Sequence, residues 1–452
     1  MGSKLAKPLL SISLLSSGRP DTLWKCLDSL KPILESVHSE LVIVDTGCDS
    51  ATKQKMYTYT GTIIPFTWCN DFAAARNAGL KACKGRWFLY LDDDEWFIET
   101  QPIINFFTSG EYKKYDTALY YQRNYLSSSG EFYEDALVSR MKELTPETKF
   151  IGRIHEYLDP VRKPGALVPG IVEHHGYIFE DSEKQQQHAD RNISLLIQSI
   201  EEDPNNLRWY FQLSQEYAAI KDWDNCIDIC TRGIELAKDQ THPKIPQYVS
   251  YFYACICNCY YISQDHLNCK NFAISALKTG KLLECSIAKI SMQLAHEYAL
   301  AAYWNKAEKA LKDYFRLYNK LKDSTVDYIM QGGNYVRDAF LRSTHDIACC
   351  IGIQCGCKLK NEQMISEYFN KISWELDPIF LASKTFYYLL DYCVDSEYSE
   401  IVQNIFDTLT SNKLPKSMFQ KEFNEWYSRL HDEDKKVRVE SLKRYIQIDE
   451  SL

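Results

Sequence analysis

The sequence predicts an α/β domain built on a mostly parallel, doubly wound sheet, followed by an all-α solenoid of tetratricopeptide type. Three observations predict it. Short β-rich runs alternate with helical spacings near the start of the chain. Strand signals stop close to Ser182, and helical periodicity then dominates. Within that second part a helical pattern recurs, first after forty-three positions and then after thirty-eight.

The elements follow in order. Residues 9–15 form a short apolar strand. Leu23, Leu27, Leu30 and Leu34 have helical spacing behind Pro20. The run LVIV (41–44) is too short for a helix and ends in the turn Asp45-Thr46-Gly47. Residues 62–66 read as a strand, and 71–84 as an alanine-rich helix capped by Asp71. Residues 87–91 read as a further strand. Ligands of such sheets bind beyond the carboxyl ends of the strands. Asp45 and Asp92 each follow a strand directly, so both fall on that rim.

The division expected is a catalytic-type domain over 1–180, a connecting helix over 181–203 and the solenoid over 204–452. In the solenoid, Leu213, Ser214, Tyr217, Cys226, Cys230 and Gly233 fit the tetratricopeptide spacing. Ile256, Cys257, Tyr260, Cys269, Ala273 and Ala276 repeat it, and so do Leu294, Ala295, Tyr298, Ala307, Leu311 and Tyr314. Weaker copies end near Phe369 to Pro378 and run through Tyr392, Ile401 and Ile405.

Composition excludes several classes. A net charge of −9 argues against a nucleic-acid binder. No apolar run of about eighteen residues offers a transmembrane segment. The start of the chain reads as a first strand rather than a signal peptide, because Ser11 and Ser13 interrupt it and no A-x-A site follows. Ala6 breaks the myristoylation pattern. The sixteen cysteines include no C-x-x-C pair, which favours reduced thiols and a cytoplasmic setting. Cys226, Cys257 and Cys269 fill small-residue slots of the repeat, so packing is the expected role of the clusters Cys255-Cys257-Cys259 and Cys349-Cys350 with Cys355-Cys357.

The chemistry concentrates at FLYLDDDEW (88–96), four carboxylates behind an apolar run. In extended backbone Asp92 and Asp94 point one way and Asp93 the other. Hard oxygen donors suit Mg²⁺ or Mn²⁺ completed by phosphate oxygens. The plain alternative is a solvated acidic turn. Arg76 could likewise be a helix-surface cation, Glu156 a surface salt-bridge partner, and His174 or His175 a structural imidazole.

The segments VDTGCDSAT (44–52) and NDFAAARNAGLKACKGRWFLYLDDDEW (70–96), with the strand order around them, resemble a family 2 glycosyltransferase of the GT-A fold. The likeness covers about the first two hundred residues. It implies that Asp94 contacts the metal and Asp92 the ribose or metal shell. It implies that Asp45 reads the nucleotide base and that Arg76 and Asn77 lie near the donor. Asp93 is counted with Asp45, Arg76, Asn77 and Asp92 in the nucleotide-sugar-binding set. The loop SSGRP (16–20) departs from the family, which often has Lys-Asn-Glu there, and receives no donor role.

Two later motifs extend the resemblance: FIGRIHE (150–156), and EHHGY (173–177) with a following helix holding Lys184, His188, Arg191 and Asn192. They are similar to a subgroup with a C-terminal tetratricopeptide array that includes peptide S-glycosyltransferases modifying bacteriocins. By that likeness Glu156 is the general base and His174 a metal ligand, with His175 the alternative. The expectation is therefore a metal-dependent inverting glycosyltransferase using a nucleotide sugar, UDP-linked, with a peptide or protein side chain as acceptor. A surface-polysaccharide precursor is the other acceptor considered. A non-catalytic scaffold with a nucleotide-binding front domain is the other class. The solenoid is the expected route to any homo-oligomer.

Overall fold

The computed structural model describes residues 7–125, 131, 133–160, 165–175, 182–324, 334–372, 384–395 and 416–437. The chain divides into two compact units, Met1–Pro204 and Asn205–Leu452.

In the first unit, β1 (Leu10–Ser16), β2 (Ser39–Asp45), β3 (Thr62–Pro65) and β4 (Trp87–Asp92) are mutually parallel, in the order β3-β2-β1-β4. Helices α1 (Pro20–Ser36), α2 (Ser50–Met56) and α3 (Phe72–Ala82) make the crossovers. Strand β4 alternates cleanly. Trp87, Leu89 and Leu91 enter one core, while Phe88 and Tyr90 meet Phe150 on the other face. The serines that interrupt β1 have a packing reason. A Cβ on Gly79 of α3 would lie 2.6 Å from a Val44 methyl carbon and 2.7 Å from Ser13 Oγ. The helix rides directly on β1 and β2, and only small residues permit that approach. Asp71 caps α3, accepting from Ala74 N at 2.8 Å.

The sheet then extends through strands that the sequence pattern does not announce: β5 (Glu95–Glu99), β6 (Thr117–Tyr125), β7 (Tyr133–Glu143) and β10 (Gly165–His174). Strand β7 runs antiparallel between β4 and β6; β10 is parallel to β6, and β5 closes the edge antiparallel to β10. A separate ribbon pairs β8 (Lys149–Ile151) with β9 (Tyr157–Asp159). Helix α4 (Gln101–Thr108) packs Phe106 and Phe107 edge-on against Trp87. Helix α5 (Ser182–Glu202) ends the unit.

The second unit is helical among the described residues. It contains α6 (Leu207–Ala219), α7 (Trp223–Ala237), α8 (Ile245–Ile262), α9 (His266–Lys278), α10 (Glu284–Leu300) and α11 (Trp304–Leu321). Then come α12 (Asn334–Arg337), α13 (Arg342–Leu359), α14 (Glu362–Phe369), α15 (Thr385–Asp395) and α16 (Lys416–Tyr427). The repeat register is visible in the turns. Lys221, Gln264 and Ala302 each adopt positive φ, at 62°, 60° and 58°, and stand forty-three and thirty-eight positions apart. Asp222 and Asp265 then cap the following helices in the same way. Small residues sit at the crossings: a Cβ on Gly233 would lie 2.6 Å from the Phe252 ring. Of the weaker repeats, Phe369 and Tyr392 lie on α14 and α15, whereas Pro378, Ile401 and Ile405 fall outside the described residues.

Candidate active site

Parallel β1, β2 and β4 end on one rim, and the acidic turn lies at its centre. Asp92 closes β4, and Asp93 and Asp94 make the turn into β5. The three aspartates diverge. Asp93 turns back toward β1, where Oδ2 accepts from Ser16 Oγ at 2.8 Å and Ser17 N at 3.2 Å. It is buried, and burial raises its pKa against the pull of Arg19 and Ser16. Its visible partners make it a brace between the tips of β1 and β4.

Asp92 faces the opposite way. Its Oδ1 accepts from Arg76 NH2 at 2.6 Å, and Arg140 NH2 stands 3.5 Å from Oδ2. Burial alone would raise this carboxyl, but the two guanidinium groups outweigh it and hold it down at about 2. Arg76 also donates through Nε to Glu156. It lies only 4% exposed, its guanidinium stacked over Tyr90 at 4.8 Å. It is thus a buried bridge between Asp92 and Glu156, not a helix-surface cation. The loop that carries Glu156 is set by two features. Arg153 O accepts from Phe72 N at 2.8 Å, and His155 takes a left-handed φ of 51°. Such backbone is uncommon outside glycine and concentrates at functional sites.

Asp94 presents its two oxygens to different partners. Oδ2 pairs with Arg19, from the loop after β1, and Oδ1 lies 4.0 Å from His174 Nε2. Strand register delivers that histidine: His174 pairs with Glu95 on β5 and with Asn124 on β6. Asn124 Oδ1 receives a hydrogen bond from His174 Nδ1 at 2.8 Å, which leaves Nε2 as the lone-pair nitrogen turned to Asp94. Burial lowers the His174 pKa despite the nearby Asp94 and Asp92, favouring the neutral imidazole. His175 points elsewhere, stacked on Trp96 (4.6 Å) and tilted against Tyr125 (4.7 Å).

The Asp94–His174 pair fits a hard divalent cation. One carboxylate oxygen and one neutral imidazole nitrogen face each other across 4.0 Å. Two ligands at about 2.0–2.2 Å each from one ion can span that distance. A magnesium-type ion takes few protein ligands and completes its shell with water and phosphate. Asn124, bonded to the other ring nitrogen, fixes the imidazole, as metal-binding histidines usually require.

Two other residues of the expected donor set are engaged locally. Asp45 accepts from Gly47 N, Cys48 N and Lys53 Nζ at 3.0, 2.7 and 2.8 Å. Burial would raise its carboxyl; Lys53 and the two amides lower it overall. Asn77 faces β8: its Nδ2 donates to Phe150 O at 3.0 Å and its Oδ1 accepts from Phe150 N at 2.8 Å. Among described residues it clamps the ribbon carrying the Glu156 loop. Arg191 bonds Asn192 and stacks on Phe72 at 5.7 Å. Lys184 and His188 lie on α5, and Gly176 and Tyr177 fall outside the described residues.

Sequence reasoning missed three participants. Arg140, on β7, reaches Asp92 and Glu95. Glu95 is buried, bonded to Gln122 and Arg140, and burial pushes it up to about 7 against the pull of Arg140. Arg19 comes from the loop that departs from the family pattern. Glu95 stands in the acidic run, but its partners Gln122 and Arg140 come from other strands, and only the fold brings them and Arg19 to the turn.

Residues 13–125 match the family model described as Glycosyl transferase family 2. The N-terminal unit carries a family 2 glycosyltransferase domain. The match contains Asp45, Arg76 and the acidic turn, and stops before Glu156 and His174. The SPbeta prophage-derived glycosyltransferase SunS of Bacillus subtilis (strain 168) is 24% identical over 252 residues, 52% of this chain and 56% of that protein. The chain thus spans about half the length of the curated relatives it matches. TPR repeat-containing protein Synpcc7942_0270 of Synechococcus elongatus is 31% identical over 98 residues, 22% of this chain and 23% of that protein. Among solved structures, S. aureus TarS 1-349 aligns over 56% of this chain and 88% of that chain, with 11% identity and a TM-score of 0.29. That likeness is too loose to align individual residues. No helix among the described residues is long and apolar enough to cross a membrane.

Proposed function

We propose that this chain is a metal-dependent, inverting glycosyltransferase that takes a sugar from a UDP-linked donor and passes it to a peptide or protein side chain. One observation carries the reading. Arg76 joins Asp92 to Glu156, while Asp94 and His174 face each other beside them, so base, donor contacts and ion ligands share one strand rim.

A divalent ion held by Asp94 and His174 would supply Lewis-acid stabilisation to the departing diphosphate. The chain's residues do the rest. Glu156, fixed by Arg76, takes the proton from the acceptor. Arg76 and Arg140 hold Asp92 ionised, ready to accept hydrogen bonds from the donor ribose. Asp45 lies at the end of β2 on the same rim, where the nucleotide base would rest. Attack from the face opposite the diphosphate inverts the anomeric centre. The helical repeats supply extended surface of the kind that binds peptide segments, which favours that acceptor over a polysaccharide precursor.

The test is a transfer and hydrolysis assay with a panel of nucleotide sugars, run with manganese, with magnesium and with chelator. The expected result is UDP release from one UDP-sugar that chelator abolishes and either metal restores. Turnover undiminished by chelator would defeat the metal reading. Nucleotide binding with no turnover on any donor would favour the scaffold.

A further inference from the structure

The second unit holds a side-chain cluster that the glycosyltransferase reading does not use. We propose that Cys226, Cys255 and Cys259, with Cys230 as fourth donor, form a buried thiolate site for a zinc ion between α7 and α8. The Sγ of Cys226 lies 3.5 Å from that of Cys255 and 3.5 Å from that of Cys259. Among described residues these three are the group of potential ligands whose donor atoms all lie within 4.8 Å of one another. Cys230 stands one turn along α7 from Cys226, on the same helix face. All four are free thiols, exposed by no more than 1%.

Sulfurs bound at about 2.3 Å to one tetrahedral zinc lie roughly 3.8 Å apart. The separations of Cys226 from Cys255 and Cys259 are close to that value, and Cys230 would close in as the fourth donor when the ion binds. The sequence spacing is also informative. Slot-filling in the repeat predicts packing for these thiols, yet Cys226 and Cys230 are spaced i, i+4 on one helix, and Cys255 and Cys259 repeat that spacing on its neighbour. On a helix that spacing puts both side chains on one face. Cys257, between the second pair, turns away into a separate core with Ala273, Ala276 and Leu294.

The next repeat provides an internal control for packing. Shifting Cys226 and Cys230 by forty-three positions gives Cys269 and Ala273; shifting Cys255 and Cys259 by thirty-eight gives Gln293 and Glu297. Cys226 and Cys269 do share a packing role, each reaching a carbonyl of the preceding helix, Ser214 O at 3.3 Å and Cys257 O at 3.8 Å. The other three positions are different. The same fold accepts Ala, Gln and Glu there, so the repeat itself does not require thiols. Soft thiolates in a closed site select zinc or copper(I) over magnesium or manganese. With all four donors protein-borne, the ion would pin one repeat to the next and keep no position open for substrate. Thiol protons would leave to solvent as it binds.

The experiment uses the full chain, purified under reducing conditions and incubated with zinc. Elemental analysis follows after desalting with a weak chelator that strips loosely held manganese or magnesium. The expected result is about one zinc per chain. It should be retained by Cys257→Ser and lost from Cys255→Ser and Cys259→Ser. Buried serines can prevent folding, so the unaltered chain is also loaded with cobalt(II). Stoichiometric thiolate charge-transfer and tetrahedral d–d absorption, displaced by zinc, would support the site. A folded, fully reduced chain that retains no zinc and gives no such cobalt spectrum overturns the proposal. So does a chain that binds copper(I) alone.

Discussion

The acidic turn after β4 and the thiol cluster between α7 and α8 are opposites in donor chemistry. At the turn the donors are a carboxylate and an imidazole, Asp94 and His174, each with roughly a seventh of its side chain exposed. Guanidinium groups crowd around them, and water and phosphate oxygens would complete the shell of an ion held there. In the cluster the donors are four thiols from two adjacent helices, closed to water, with nothing left to add. The difference teaches what each place is built to do. A site with two protein ligands on a strand rim is set up to exchange its occupant. A four-thiol site inside a helix pair is set up to keep it.

The largest expected effects lie at the turn. Glu156→Gln should lower turnover about a hundredfold or more while donor binding stays within a few-fold. Steady-state rates beside titration calorimetry check this, and turnover near wild type would remove Glu156 as the base. Asp94→Asn should weaken manganese-dependent UDP binding by roughly a hundredfold, with the zinc content of the second unit unchanged. Loss of both metals together would erase the distinction between the two sites. Asn124→Ala, which removes its hydrogen bond to the His174 ring, should cost about tenfold to a hundredfold in manganese affinity and leave metal-free nucleotide binding intact. If manganese affinity does not move, the His174 assignment fails.

Two smaller effects probe the surroundings of each site. Gly233→Ala drives a methyl group into Phe252 beside the thiol helices and should destabilise the chain by about 1–3 kcal/mol in denaturant unfolding. Unchanged stability would mean that the helix crossing is looser than described. Glu95 concerns pH. Its carboxyl is raised from 4.5 to about 7, so the folded state gains from the proton. That contribution is complete below the unfolded value and is lost as pH rises through about 7. Glu95→Gln has no such loss, so its melting temperature relative to wild type should climb between pH 4.5 and 7. A difference constant with pH would show that Arg140 fully compensates the buried charge.

Much of this was legible in the sequence, and unevenly. The parallel strands β1 to β4 were readable because each is a short β-rich run ending in a turn. The repeats were readable because their small residues recur at fixed offsets, down to the left-handed turns at Lys221, Gln264 and Ala302. Strands β6 and β7 were not, since the outer half of β7 is largely exposed and lacks a buried alternation. Strand β10 was hidden by Pro169 and Gly170 in its middle. The acidic turn stands out in one dimension. Arg140 and Asn124 do not, nor do the partners of Glu95, because their importance comes from strand pairing across dozens of residues. The thiol cluster is legible in the sequence only as slot-filling, because the i, i+4 pairs Cys226–Cys230 and Cys255–Cys259 lie on different helices that the fold brings together.

Strand β10 has a further consequence. Its pairing shifts register twice, against β6 between Leu167 and Ile171 and against β5 between Ile171 and Val172. Side chains of a strand alternate in facing, so an odd step anywhere upstream exchanges what the two faces display. The step against β6 spans four residues of β10 and two of β6, an even excess, so facing passes unbroken through Pro169 and Gly170, and simple alternation aims His174 at the carboxylate turn and His175 at the aromatic rings. Removing a single residue from that kink would invert the assignment without altering either histidine.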